Sequence, residues 1–310
     1  MRCFLSLVVL LTGAWACSGS NGAEAEPTEL RAAVASGSPA ITAWASELLA
    51  GTEVTVDAIY AAEGPAGSAT PPRDRLRAAR DAQLVVLQGA GFAKWARQAA
   101  LPSSRTVRLI ERDSPGVLTV EERTHAHGAQ GEHTHRGADG HTWLSPGLAM
   151  IQIQELGRQL AAAFPEHRDA VLDRARLLAD AQMVGLAEMR SAVGDADPPR
   201  GLGMHGHGYG YLVEAWGGTY AEVEFPLDQR LSSADWNRLR SQISGDGAVL
   251  LVPTAPAAEL EQQLREEMRV ICVVAASGAE AAEPAAWMAA RAQTLTDLAA
   301  AFPALSELAE

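Results

Sequence analysis

The sequence predicts an α/β fold: two lobes with parallel sheets and flanking helices, linked by one long helix. Three observations carry that expectation. Short runs of β-branched apolar residues alternate with helical stretches in both halves of the chain, the pattern of parallel strands joined by right-handed crossovers. One long helical pattern separates the halves. The 310 residues are 47% apolar and 20% charged, enough for two medium domains with real cores and too ordered a balance for a disordered chain.

Taken in order, Leu30–Ala35 reads as a strand and Pro39–Ala50 as a helix with Ile41, Trp44, Leu48 and Leu49 on one side. Val54–Ile59 is a second strand, followed by a Gly/Ala/Pro loop from Ala61 to Pro72 and an Arg/Ala-rich helix. The strand Leu84–Leu87, a helix Phe92–Ala99 and the strand Thr106–Ile110 complete the first set. From Glu121 to Gly140 apolar periodicity vanishes among Gly, Thr, acids and histidines, which predicts a long loop. Ser145-Pro146 has the chemistry of an N-cap followed by proline at the first helical position, and that helix runs to about Phe164. Pro165 restarts the chain into a helix reaching about Val193, with Val171, Ala175, Leu178, Leu186 and Met189 at three- and four-residue spacing. In the second half, strands are expected at Gly201–Met204, Thr219–Val223, Val249–Val252 and Val270–Val274. Helices are expected around Tyr211–Trp216, after the Ser232–Asp235 capping box, at Ala257–Met268 and from about Glu283. The Ala-rich last helix is read as a packing element. No sequence repeat relates the halves.

The expected organisation is a signal peptide over 1–16, a flexible tether over 17–28, an N-terminal lobe over 29–164 with its His-rich loop at 121–140, a linking helix over 165–193, and a C-terminal lobe over 194–310. Arg2 followed by the apolar run Cys3–Thr12 has the length of a signal-peptide core and is too short to span a bilayer. Ala14-Trp15-Ala16-Cys17 admits two cleavage readings, an ordinary Ala-x-Ala site or a lipoprotein site with Cys17 lipidated. The polar Ser-Gly-Ser-Asn-Gly stretch after Cys17 suits a lipid tether and favours the second. Export to a periplasm or cell envelope follows from either, with the membrane reached only through a lipid. Of the three cysteines, Cys3 leaves with the leader and Cys272 sits in the apolar run Val270–Val274 as a small buried hydrophobe. No disulfide framework is available.

Net charge is −13, with Lys94 the single lysine. Such a chain is repelled by phosphate backbones, which excludes nucleic acid as a general partner. The chemistry concentrates in histidine. Of eight histidines, five fall between His125 and His141, as His125-Ala-His127, His133-Thr-His135 and His141, and two form His205-Gly-His207. Neutral imidazole is the commonest protein ligand for divalent transition metals. An imidazole-rich, carboxylate-poor set favours zinc, copper or nickel over manganese or magnesium. His167 stands alone near a helix start and reads as a surface residue.

At His141 the segment Asp139-Gly140-His141-Thr142-Trp143-Leu144-Ser145-Pro146 resembles the Asp-Pro-His-x-Trp-(Leu/Met)-(Ser/Asp)-Pro segment of the periplasmic zinc- and manganese-binding receptors of ABC importers. In that family a His-rich acidic loop often precedes the segment, as Glu121–Arg136 does here, and a long helix joins the lobes. His205 with Gly208-Tyr209-Gly210-Tyr211-Leu212 resembles the second-lobe His-x-(Ala/Ser)-(Phe/Tyr)-Gly-Tyr-Phe segment. Thr70-Pro71-Pro72-Arg73-Asp74 and Asp81–Val86 resemble the stretch after the family's first ligand, so the likeness spans about Leu30 to Trp287. It implies a monomeric receptor that delivers zinc, or less readily manganese, to an importer permease.

The departures are as informative. Gly64–Ala69 holds no histidine where the family has its first ligand. Ala275-Ala276-Ser277-Gly278 replaces a carboxylate-bearing turn, leaving Glu280 as the nearest acid, and position 206 is glycine where the second-lobe histidine is expected, so His205 or His207 must take its place. The ligand set implied is therefore His141, His205, His207 and Glu280, with His125, His127, His133 and His135 as an auxiliary loop. A degenerate receptor with weak or no metal capture stays open beside it. A zinc hydrolase is a third reading, but no His-Glu-x-x-His helix, nucleophile elbow or P-loop is present.

Overall fold

A computed structural model describes residues 30–60, 67–126, 132–195, 197–206, 208–243, 247–275 and 283–308, with backbone pairing alone between 120 and 136. The leader 1–16, the tether 17–28 with Cys17, and His127, His207 and Glu280 lie outside the described residues.

The chain opens with β1 (Arg31–Ser36), α1 (Pro39–Leu48), β2 (Thr55–Ala58), α2 (Arg73–Asp81), β3 (Ala82–Gly89) and β4 (Thr106–Ile110). Its four strands are parallel in the order β2-β1-β3-β4. Ser38 caps α1 by accepting from Ile41 N, and Pro39 fills the first helical position where its missing N–H costs nothing. The expected helix over 92–99 is only a 3-10 turn at Lys94–Gln98.

The segment expected as a loop forms a hairpin instead. β5 (Thr119–Ala126) and β6 (Glu132–Ala138) pair antiparallel, with Glu122 opposite His135 and His125 opposite His133. An antiparallel ladder needs only backbone partners, and Thr119, Val120, Thr124 and Thr134 suit extended chain. The absence of apolar alternation was therefore a poor guide to the absence of strands.

After a 3-10 turn at Thr142–Leu144 come α3 (Pro146–Ala163) and α4 (Arg168–Val193). Ser145 caps α3 as its sequence predicts. The 26 residues of α4 span about 39 Å at 1.5 Å per residue. Arg174 Nη1 donates to Leu48 O at the end of α1, and Arg190 Nε donates to Ala215 O in the other lobe. One helix thus grips both lobes through the unsatisfied carbonyls of two helix ends.

The second lobe follows as β7 (Arg200–Met204), α5 (Gly210–Trp216), β8 (Tyr220–Val223), α6 (Ser233–Gln242), β9 (Ala248–Val252), α7 (Ala258–Met268), β10 (Val270–Val274) and α8 (Pro284–Glu307). The capping box at Ser232 and Asp235 is formed. The strand order β10-β9-β7-β8 is all parallel and, read from the other edge, repeats the second-first-third-fourth order of the first lobe. The lobes share a topology that the sequence does not reveal. In each, the switch point lies between the first and third strands, where ligands of open α/β sheets bind beyond the carboxyl ends.

The core does not divide cleanly between lobes. A single cluster runs from Val34, Trp44 and Trp143 through Leu186 and Tyr209 to Trp216, Trp287 and Phe302. Two further clusters cover the outer faces of the sheets. The last helix packs as expected, but across both lobes: Trp287 meets Trp44 edge-on at 6.3 Å and Phe302 meets Trp216 at 5.4 Å. Cys272 lies half-buried against the second-lobe cluster, and burial pushes its thiol up to about 12.

Candidate metal site

His141 is set between the lobes by a buried polar frame. The hydroxyl of Thr142 accepts from Gln88 Nε2 at 3.0 Å and from Gln152 Nε2 at 2.8 Å, and Ser38 Oγ donates to Gln88 Oε1 at 2.8 Å. This chain of hydrogen bonds ties the 142–144 turn to the carboxyl end of β3 and the start of α1. From the far side, Arg291 Nη2 on α8 donates to Leu144 O at 2.7 Å. The Gln88 amide has both ends bonded, so its flipped rotamer would orphan polar atoms, while Gln152 is held through Nε2 alone and its Oε1 has no partner among the described residues.

Asp139 sets the ring. Its Oδ1 accepts from His141 N at 2.9 Å and lies 2.8 Å from His141 Nδ1. A carboxylate oxygen only accepts, so Nδ1 carries the proton and Nε2 keeps its lone pair for an ion, the usual carboxylate–histidine–metal arrangement. The ring packs edge-on against Phe92 at 5.4 Å and Trp143 at 5.2 Å, and Gly140 lies flat on the Phe92 backbone. His141 remains about a quarter exposed.

The second lobe meets this ring directly. Gly208 has φ of +68°, and a Cβ there would lie 2.4 Å from His141 Cβ. Only glycine allows both that conformation and that approach. His205, just past the carboxyl end of β7, is exposed, and its Nδ1 sits 2.6 Å from Glu222 Oε2 on β8. The site therefore has a second histidine–carboxylate pair on the other lobe. Tyr220 is near both pairs but bonded to neither among the described residues: its hydroxyl is raised above the ordinary phenol value by burial first, and then by the charges of Glu222 and Asp139. Tyr211 closes the frame, donating to Asp139 O at 2.6 Å and accepting from Leu118 N at 3.1 Å. Tyr209 donates to Ala275 O at 2.9 Å and fixes the chain just before the segment that carries Glu280.

Of the four expected ligands, His141 and His205 are described, while His207 and Glu280 are not. No trio of ligand atoms from His141 or His205 comes within 4.8 Å among the described residues; the trio that does is Glu53, Glu166 and His167. His167 Nε2 lies 3.2 Å from Glu53 Oε1, so this histidine is paired on the surface, at the amino end of the first sheet and not at the cleft. His125, His133 and His135 stand on the hairpin strands. Sequence reasoning missed Asp139 as the residue orienting His141, although its place two residues upstream was a usable signal. It could not have found Glu222, which reaches His205 only through the β7–β8 pairing. A cavity of about 510 Å³ opens beside Phe92, lined by Lys94, Arg97, Arg108 and Arg112 against the single acid Glu111, a mostly basic wall unsuited to a bare cation.

The geometry defines a two-lobe α/β receptor with a histidine–carboxylate pair on each side of its cleft. A family profile described as "Zinc-uptake complex component A periplasmic" matches residues 34–301, and the chain belongs to that family of metal-binding receptors of ABC importers. Solved structures share the fold. The metal-dependent lipoprotein YcdH from Bacillus subtilis aligns with a TM-score of 0.59 at 15% identity, covering 77% of this chain and 85% of that one. A structure titled ZnuA aligns with a TM-score of 0.58 at 16% identity, covering 87% and 98%. FpvC from Pseudomonas aeruginosa, in complex with Ni²⁺, aligns with a TM-score of 0.63 at 16% identity, covering 88% and 97%. No curated protein matches. Members of the family are substrate-binding receptors, and among the described residues no helix is long and apolar enough to cross a membrane.

Proposed function

We propose that the chain is an exported receptor that captures zinc in the cleft between its lobes and delivers it to the permease of an ABC importer. The observation that carries the reading is the Asp139–His141 pair pressed against Gly208 of the opposite lobe. Nε2 of His141 is left to bind an ion, and the second lobe supplies His205, His207 and Glu280, with water filling any open position. Three protein ligands suffice to hold zinc. Imidazoles held by carboxylates favour zinc over manganese, while FpvC, solved with Ni²⁺ and with Mn²⁺, makes both ions competitors to test.

The hairpin histidines His125, His127, His133 and His135 act as weak auxiliary collectors that raise the metal concentration at the cleft. Cys17 carries a lipid that tethers the mature chain, a role that fits the lipoprotein description of YcdH.

The test is metal titration of the mature chain, with ion identity read by elemental analysis and zinc set against nickel and manganese. Zinc should raise the melting temperature of the wild type, by mass action equivalent to about 2.7 kcal/mol at a hundredfold excess over Kd. His141→Ala should remove that rise, and replacing His205 and His207 together should cost a similar amount. Deleting residues 122–136 should leave tight binding in place. Full zinc affinity in His141→Ala would refute the cleft site and leave a degenerate receptor.

A further inference from the structure

Away from the cleft, Arg291 is a buried cation without an acidic partner among the described residues. Its residue is 3% exposed on the face of α8 that packs toward the first lobe. Nη2 donates to Leu144 O, but Nε and Nη1 find no acceptor among the described residues, and neither does Nε1 of the neighbouring Trp287. Both residues line one cavity of about 120 Å³ between α1, α4 and α8. Its other walls are apolar, including Trp44, Trp143, Leu178 and Leu295, with Gln182 the single further polar side chain and no carboxylate. Burial alone lowers the guanidinium to about 10, which still leaves it charged at neutral pH.

Two demands therefore meet at one place. Three donor nitrogens, carrying four N–H groups, need acceptors, and one positive charge needs compensation, because an isolated buried ion is far more costly than an isolated buried dipole. Water would satisfy the donors but not the charge. A divalent anion would overcompensate a single guanidinium and bury a net negative charge among apolar side chains. Liquid water takes about 30 Å³ per molecule, so the space holds one small desolvated ion with water beside it. We propose that this cavity is a binding site for a monovalent anion of the halide class, held by Arg291 and Trp287. By neutralising Arg291 the anion stabilises the side chain that grips Leu144, three residues from His141. The site stands apart from metal capture and can be measured in metal-free buffer.

The experiment compares melting of the metal-free mature chain in sodium chloride and in sodium isethionate, whose larger sulfonate anion serves as the control, at one fixed ionic strength. Stability should increase with chloride, in equal steps for each tenfold increase once the concentration exceeds Kd. Crystals grown in bromide should show an anomalous scattering peak beside Arg291. Trp287→Phe, which removes one donor and leaves a smaller aromatic ring in the wall, should raise the half-saturating chloride concentration about tenfold, and Arg291→Met should abolish the anion dependence. Should Arg291→Met fail to fold, the bromide peak and Trp287→Phe still decide. Equal melting in chloride and isethionate, no bromide peak in the cavity, or undiminished chloride dependence in either variant would each overturn the site.

Discussion

Replacing Tyr211 by phenylalanine tests whether the metal cleft is framed from across the lobes. The ring is 1% exposed and would keep its packing; only the hydroxyl goes. That hydroxyl makes two bonds to the first lobe, one donated to Asp139 O and one accepted from Leu118 N. Each lost bond is worth about 1 kcal/mol, and leaving buried backbone groups unmatched adds about 1–2 kcal/mol in total, so the variant should lose about 3–4 kcal/mol. At roughly 2–4 °C per kcal/mol for a chain of this size, its melting temperature should fall by about 6–16 °C. Asp139 would also lose the anchor of its main chain, so zinc affinity should drop several-fold. Burial raises the Tyr211 hydroxyl above its ordinary value, so it stays protonated and the difference between the proteins should be constant from pH 6 to pH 9. Differential scanning calorimetry with and without zinc reads both effects. A fall below about 1 °C, with zinc affinity unchanged, would refute the interlobe frame.

Gly208→Ala forces a methyl to 2.4 Å from His141 Cβ at a positive φ, so the cleft should not close and zinc should bind at least tenfold more weakly by calorimetric titration. Asp139→Asn replaces an acceptor-only group with one that can donate, freeing the His141 ring, and should cost about 10–100-fold in zinc affinity with little change in melting. Cys272, raised to about 12, should react with iodoacetamide about a thousandfold more slowly than an ordinary thiol of value 9, as followed by mass spectrometry. The same shift makes stability fall as pH rises above about 9, since the unfolded chain then sheds a proton that the folded chain retains, and Cys272→Ala should remove that part of the alkaline slope.

Local chemistry made much of the fold legible. Pro146 after Ser145 and the Ser232–Asp235 box announce helix starts through groups a few residues apart, and both caps are formed. The parallel strands are runs of buried apolar residues such as Val249–Val252, whose burial on both faces needs no knowledge of the partner strand. The hairpin escaped because its ladder depends on backbone pairing across a turn, and its residues carry no apolar alternation to betray it.

The site divides in the same way. Neighbouring residues suffice to place His141 just before a capped helix, to put histidines of the second half after a strand end, and to carry the resemblance to metal receptors. What each histidine touches emerges from packing between distant segments. Asp139 turns the His141 ring because the 142–144 turn is clamped by Gln88 and Gln152, residues 54 and 10 positions from Thr142. Glu222 reaches His205 because β7 and β8 lie side by side, and Gly208 meets His141 because two lobes of like topology close on one shared core. Arg291 reached Leu144 O, with no acidic partner among the described residues, only when α8 crossed back onto the first lobe. Caps and apolar runs are written in neighbouring residues, whereas charge pairing and desolvation depend on distances between residues far apart in the chain, which come into being only when the chain has folded.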